Sequence, residues 1–317
     1  MLTVRIPATT ANLGPGFDCI GLALGLWNEF TLELAGQPGE IIVETSGEGA
    51  SKLSSDSQNL VAKTMMDETW PGMLPTDSGI KIKCVNGIPV GSGLGSSSTA
   101  TLAGLIFASA LSAHAVHRSN AEETLTVVRS QQNLDRVLRR AIQIEGHGDN
   151  VAPALLGGLV LVVKDEDVIV QQVEFAAQKV VVCVPDFHFL TSAARSAIPA
   201  EYSRSQTVFN IGHAMLALVA LRRGDLSTLR RALSDRIHEP YRMPLIPGAE
   251  QVRTASLAAG AEAACLSGAG PGIIAFATQN HDQIGNAMVD AFKAAGLQSR
   301  YWVLSTITSG TEIIAQS

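Results

Sequence analysis

Residues 89–100, "PVGSGLGSSSTA", set three glycines (Gly91, Gly93, Gly95) and four small hydroxyl side chains directly ahead of an alanine-rich run. Without Cβ atoms, the glycines let the backbone take unusual conformations and approach a ligand closely. The continuation "TATLAGLIFASALSAH" combines strong helix formers with apolar residues at helical spacing, which predicts a helix. A glycine-rich loop entering a helix N-terminus offers backbone N–H groups and the positive end of the helix dipole, which is a phosphate site. Ser96, Ser97, Ser98 and Thr99 add hydroxyls for phosphate oxygens or a bound Mg²⁺. The plainer alternative is a glycine turn whose serines only cap the helix. Two familiar phosphate loops are excluded. No lysine follows these glycines as in a Walker A loop, and Ser96 stands where a dinucleotide fingerprint needs its third glycine.

At 317 residues the chain suits one large domain or two ordinary ones. Its 46% hydrophobic and 16% charged residues describe a well-filled globule. A net charge of −6 without a lysine/arginine block argues against nucleic-acid binding; "RVLRR" (136–140) reads as one solvated helix face. Cys19, Cys84, Cys183 and Cys265 lie far apart, suggesting neither zinc nor a disulfide framework, and fit small core residues in a reducing cytosol. The N-terminus lacks a signal-peptide core, and no apolar run is read as reaching the ~18 residues a membrane span needs.

Strand patterns open the chain in "LTVRIPA", "NEFTLELA", "EIIVETSG" and "SGIKIKCVNGIPV". Two helices follow at about 97–115 and 121–145, the second starting near Asn120, and "GGLVLVV" closes this half. The second half carries strands at 168–174 and 179–184 and helices near 205–221, 225–236 and 248–260. Then come two strands around a glycine turn in "ACLSGAGPGIIAFAT", a helix near 281–295 and the strand "RYWVLSTI". Mixed rather than alternating elements indicate α+β layers. The polar stretch "KDEDV" (164–168) divides the halves, giving expected domains at 1–164 and 165–317.

These motifs resemble those of the GHMP kinases. The family's loop P-x-x-x-G-L-G-S-S is matched from Pro89 to Ser97, and "PATTANLGPGFDCIGLAL" (7–24), "EGHGDNVAPALLGGL" (145–159), "LTSAAR" (190–195), "HEPYR" (238–242) and "SGAGP" (267–271) follow its pattern in order. The last five are similar to the branch that phosphorylates an amino acid with a terminal hydroxyl. The resemblance covers essentially the whole chain. It implies a two-domain fold: an N-terminal domain like the second domain of ribosomal protein S5, then a ferredoxin-like C-terminal domain, with the site between them. It also implies ATP as phosphate donor, Mg²⁺, a small-molecule acceptor and a possible homodimer in the cytoplasm.

On that resemblance, Pro89, Val90, Gly91, Ser92, Gly93, Leu94, Gly95, Ser96, Ser97, Ser98 and Thr99 cradle the nucleotide phosphates. Ser97 reaches the metal, Glu145 is its acidic partner, and Asn59 sits near the adenine or caps the helix that follows it. "SGAGP" closes on the phosphate loop from the second domain. For the acceptor, Arg195 and Arg242 match two carboxylate-binding arginines, with Arg236 a rival to Arg242, since a guanidinium fork suits a carboxylate. Asp18 complements the ammonium, Asn12 orders its loop or binds substrate, and Thr191 is a weaker candidate. His147, Asp149 and Asn150 lie near the hydroxyl. The first motif contains no lysine to partner an aspartate base. We therefore expect direct transfer with Asn150 orienting the nucleophile, Asp149 as general base being the rival. Gly148, Ser98, Thr99 and Gly272 depart from the family's usual residues without removing a charged or metal-binding group. The alternatives are another GHMP kinase, of mevalonate or sugar type, and a non-catalytic protein of the same fold.

Overall fold

The structure is a computed structural model that describes residues 1–117 and 121–315, so the helix start expected near Asn120 lies outside it. Strands β1 (Leu2–Ala11), β2 (Ile20–Leu34) and β3 (Ile41–Gly47) come first, then helix α1 (Leu60–Glu68) and β4 (Ile80–Asn86). Helices α2 (Ser96–His117), α3 (Ala121–Arg129), α4 (Gln131–Glu145) and α5 (Val151–Leu156) follow, and the hairpin β5 (Leu159–Lys164) and β6 (Val168–Val173) ends the first half. The second half runs β7 (Lys179–Pro185), α6 (Thr191–Ser196), α7 (Arg204–Arg223), α8 (Leu226–Ala232), α9 (Glu239–Arg242) and α10 (Ala249–Ala258). It finishes with β8 (Ala263–Leu266), β9 (Ile273–Phe276), α11 (His281–Ala294), β10 (Ser299–Ser305) and β11 (Glu312–Ala315).

Seven strands form the first sheet, ordered β11-β1-β2-β4-β3, with β5 on β2 and β6 on β5. At 15 residues, β2 is long enough to pair β4 along Asn28–Leu34 and β5 along Ile20–Leu22. β3 and β4 are parallel, so their connection must cross over, and α1 lies on it. The stretch 164–168, expected to divide the halves, is the turn of the β5–β6 hairpin, with Lys164 paired to Val168. The change of sheet comes after β6, and β11 returns to pair with β1; its four residues are too short a run for a strand pattern to stand out in sequence.

The second sheet is ordered β10-β7-β9-β8 with every pair antiparallel. Helices between β7 and β8 and between β9 and β10 give a β-α-β-β-α-β order, the ferredoxin-like pattern. Alternation along β7 shows how it is held. Val180, Val182 and Val184 share a core with Leu22 and Leu24 of the first sheet and with α7 and α8, whereas Val181 and Cys183 face α10 and α11. The two sheets therefore share apolar packing.

α2 is the central helix. By length and composition Ser96–Val116 is apolar enough to cross a membrane, which the sequence reading did not anticipate, but 72% of it is buried inside the protein. A helix apolar all round belongs in a core, and Leu102, Ile106 and Phe107 are fully enclosed. The helix expected over 121–145 is two helices. Ser130 accepts the Asn133 N–H (3.3 Å) as the N-cap of α4, which ends at Gly146 in the left-handed region (φ 81°). Cys84, Cys183 and Cys265 are buried as expected, and burial pushes the first two thiols up to about 12; Cys19 is exposed.

Candidate active site

Several segments converge on one cavity of about 400 Å³: the end of β1, the loop from β4 into α2, the end of α4, α6, α9 and the β8–β9 turn. Of the residues expected at the site, Asn12, Asp18, Gly91, Ser92, Gly93, Gly95, Ser96, Ser97, Ser98, Glu145, His147, Asp149, Asn150, Thr191, Arg195 and Arg242 line it. Asn59 and Val90 instead line an adjoining, more apolar cavity of about 250 Å³ that shares Gly91, Ser96 and Ser97 with the first. Asn59 caps α1, its Oδ1 accepting the Val61 N–H (3.1 Å) and its Nδ2 donating to Ser54 O (2.9 Å). Leu94 and Thr99 are fully buried and do not face either cavity. The Thr99 hydroxyl donates to Ser96 O (2.8 Å) and accepts from Asn28 Nδ2 (2.9 Å), so it braces the start of α2. Pro89 contributes its carbonyl, which accepts from Ser92 Oγ (2.7 Å).

The loop needs its glycines for two physical reasons. Gly91, Gly93 and Gly95 all have positive φ (68°, 80° and 73°). A Cβ on Gly93 would also meet Ser267 O at 2.2 Å, and one on Gly95 would meet Thr9 Oγ1 at 2.2 Å. The β8–β9 turn does close on the loop: Ser267 Oγ donates to Gly93 O (2.8 Å), and the Gly272 N–H donates to Ser92 O (3.1 Å).

Ser97 and Glu145 come together across α2 and α4. Ser97 Oγ donates to Glu145 Oε1 at 3.1 Å, and Thr101 Oγ1 donates to the same oxygen at 2.6 Å. Among the described residues no three His, Cys, Asp or Glu side chains form a ready-made metal cage. One hydroxyl and one carboxylate at the phosphate loop nonetheless fit Mg²⁺, which usually takes few protein ligands and completes its shell with phosphates and water.

On the other side of the cavity, Asn12 adopts a left-handed conformation (φ 69°). Its amide bridges the Asp18 N–H (2.9 Å) and Gly268 O (2.8 Å), fixing the 12–18 loop against the β8–β9 turn. Asp18 and Arg195 form a bidentate pair at 2.8 and 2.9 Å. Arg242 is 1% exposed, with Nε donating to Ala194 O (3.3 Å); burial, followed by the neighbouring Arg195 charge, lowers its proton affinity. Arg236, the rival, lies over the Phe209 ring at 3.8 Å and does not line the cavity. Asp149 is 2% exposed, and its Oδ1 approaches His147 Nδ1 to 2.9 Å, without the alignment of a hydrogen bond. Burial by itself would lower the His147 pKa, but contact with Asp149 and the charges of Asp149, Glu145 and Asp18 outweigh it, and the net shift is upward. Asn150 Oδ1 accepts from Thr9 Oγ1 (2.8 Å), which leaves its amide nitrogen as the donor for a ligand.

Sequence reasoning missed Thr9 and Thr101, which brace Asn150 and Glu145, and Phe189, which lines the cavity. A hydroxyl inside a strand or helix carries no local signal of such a role. It also missed Glu239, which is buried and accepts the Leu266 N–H (2.7 Å) and an Arg253 contact (3.3 Å), tying α9 to β8. Burial raises the Glu239 pKa to about 7, against the opposing pull of the Leu266 N–H and Arg253. The folded state then binds this proton more tightly than the unfolded state, whose ordinary value is 4.5. Its contribution to stability is fully present below that value and is lost as pH rises through about 7. The loss is of the order of 3 kcal/mol. Urea midpoints for wild type and Glu239→Gln should therefore be closest at low pH, with the wild type losing stability relative to the variant as pH rises from 4.5 to about 7. A constant difference between the two would refute this.

The fold and the loop define a class before any relative is considered: a two-sheet α+β protein with a glycine-rich, anion-binding type of loop at the N-terminus of α2, opening onto a polar cavity. A family model described as GHMP kinases N terminal domain matches residues 59–158, and one described as GHMP kinases C terminal matches 217–294. Homoserine kinase of Synechococcus sp. is 39% identical, with 98% of this chain and 97% of the relative aligned. Homoserine kinase of Moorella thermoacetica is 36% identical over 99% and 100%. The crystal structure of homoserine kinase from Cytophaga hutchinsonii superposes with a TM-score of 0.80 at 30% identity, covering 99% of this chain and 97% of that one. The chain belongs to the GHMP kinases, in their homoserine kinase family.

Proposed function

We propose that the protein transfers the ATP γ-phosphate to the side-chain hydroxyl of L-homoserine, giving O-phospho-L-homoserine. The observation that carries this reading is the Asp18–Arg195 pair beside buried Arg242, all three lining a cavity that also takes in the phosphate loop. A homoserine zwitterion has one positive and one negative end. Laid against this pair, its carboxylate meets the two guanidiniums and its ammonium meets Asp18, so charges alternate. A mevalonate or sugar acceptor lacks the ammonium and leaves Asp18 unmatched. The terminal hydroxyl then points toward Asn150, and the triphosphate lies along Gly91–Ser98, with the base in the apolar side cavity beside Asn59 and Val90. Ser97 and Glu145 would hold Mg²⁺, which neutralises charge on the phosphates when bound. Phosphoryl transfer asks mainly for positioning and electrostatic stabilisation.

Asp149 is the counterion of His147 in this arrangement, and Asn150 orients the acceptor hydroxyl, whose proton leaves late to a phosphate oxygen. Asp149→Asn is therefore expected to lower kcat by less than about a thousandfold, whereas general-base terms reach ~10²–10⁴; a larger loss would make Asp149 the base. The reading as a whole is tested by ADP release from Mg-ATP with L-homoserine, mevalonate, galactose or no acceptor. Turnover confined to homoserine supports it. Turnover with another acceptor keeps the phosphate loop and overturns the substrate, and no turnover at all favours a non-catalytic binding protein.

The first sheet with β6 and β11 forms one domain and the second sheet with its helices the other. A reducing cytoplasm suits the unpaired thiols, and neither nucleic acid nor membrane is a partner of this acidic chain. A homodimer is supported by the exposed apolar stripe Val208, Ile211, Met215 and Val219 on α7, and a monomeric mass in sedimentation would refute it.

A further inference from the structure

One aromatic ring stands behind the carboxylate clamp. Phe17 sits in the turn between β1 and β2, next to Asp18, and is half-buried. Arg195 Cζ lies over its ring at 5.6 Å from the centroid, and Arg242 Cζ at 5.0 Å. His238 stacks on the same ring, with centroids 5.2 Å apart and planes inclined by 24°.

The charges explain why such a ring is useful. Two guanidiniums that converge on one carboxylate repel each other until the carboxylate arrives. Arg195 has Asp18 as its counterion, but fully enclosed Arg242 forms no ion pair among the described residues, and its polar neighbours are Ala194 O and His238 Nδ1 (3.4 Å). His238 Nε2 lies 2.7 Å from Gly14 O, so that nitrogen carries the proton and Nδ1 turns its lone pair to Arg242. His238 is therefore neutral and adds no third positive charge, in keeping with burial lowering its pKa. Both guanidiniums feel the Asp18 and Asp149 charges, and the electron-rich face of Phe17 is the surface that both lie against.

We propose that Phe17 is a positioning residue for the substrate carboxylate, its ring holding Arg195 and Arg242 at the separation at which both can reach one carboxylate. This rests on the homoserine reading of the site. Phe17 does not line the cavity, so it acts through the arginines rather than on the substrate. A plain apolar plug would be replaced well by leucine, whereas a cation–π platform would not.

The test is steady-state kinetics of Phe17→Leu, Phe17→Tyr and Arg195→Ala, with KM for homoserine and for ATP measured separately. With both cation–π contacts removed, Phe17→Leu is expected to raise the homoserine KM about tenfold. The ATP KM and kcat should stay within about twofold, and Phe17→Tyr should restore the homoserine KM. If Arg195→Ala raises the homoserine KM while Phe17→Leu leaves it unchanged, Phe17 is only a plug and the inference is overturned alone. If Phe17→Leu shifts both KM values, kcat and the melting temperature together, the role is structural and the inference is again overturned. If Arg195→Ala leaves the homoserine KM unchanged, the carboxylate-clamp reading falls and takes this inference with it.

Discussion

Arg195→Ala is expected to raise the KM for homoserine by about a hundredfold or more, with the KM for ATP changed by no more than a few-fold. The fork of Arg195 is already oriented by Asp18 through two hydrogen bonds at 2.8 and 2.9 Å, so little side-chain entropy is lost when a carboxylate binds. Truncation removes the clamp and leaves the Asp18 carboxylate without its partner. Both effects fall on the substrate side of the cavity. Arg195→Lys should rescue only a small part of the loss, because an ammonium cannot hold Asp18 bidentately and face a second carboxylate together. Initial rates over a homoserine titration at saturating ATP measure this directly. A change in KM below about threefold would place the substrate carboxylate elsewhere.

Gly93→Ala has the second large expected effect, on both stability and turnover. The position needs φ of 80°, and a Cβ there would stand 2.2 Å from Ser267 O and 3.0 Å from Gly270 O. These are backbone atoms held from elsewhere: the Gly268 N–H donates to Ala11 O (3.1 Å), and the Ser267 and Thr10 hydroxyl oxygens lie 3.0 Å apart, in hydrogen-bond contact. The turn cannot yield without disturbing β1. Left-handed strain costs about 1–2 kcal/mol and overpacking about 1–3 kcal/mol more, a loss of about 2–5 kcal/mol in denaturant unfolding. Displacing the phosphate loop by an ångström costs about a hundredfold in rate. Gly91→Ala is the control, since φ is 68° but no atom lies within 4 Å of the added Cβ. It should lose only the strain. Equal destabilisation in the two variants would show that the β8–β9 turn does not press on the loop.

The phosphate loop was legible because its requirement is local. Left-handed backbone at Gly91, Gly93 and Gly95 and a helix starting at Ser96 are written in residue type and order. So were most of the strands and helices, since alternation and helical spacing survive in any tertiary context. Ordered motifs also named the family, and with it Asp18, Arg195 and Glu145. What sequence could not supply was any relation between residues far apart in the chain. Arg236 and Arg242 are equally arginines in sequence; only folding sends one over Phe209 and the other into the cavity. Leu94 and Thr99 sit in the matched loop, yet both are enclosed, because burial depends on what packs against a segment; the Asn59 helix cap, by contrast, was one of the two readings its position offered. The turn at 164–168 looked like a domain link since polar turns and polar linkers have the same composition, and only the pairing of β6 with β5 separates them. Local chemistry, then, was determined by the sequence itself: the glycine loop, the helix starts and the charged groups offered to a ligand. Tertiary structure decided which of those groups meet, through the antiparallel and parallel pairings that bring β1, α2, α4, α9 and the β8–β9 turn to one place, since contact between distant residues depends on the packing of the whole chain rather than on any one stretch of it.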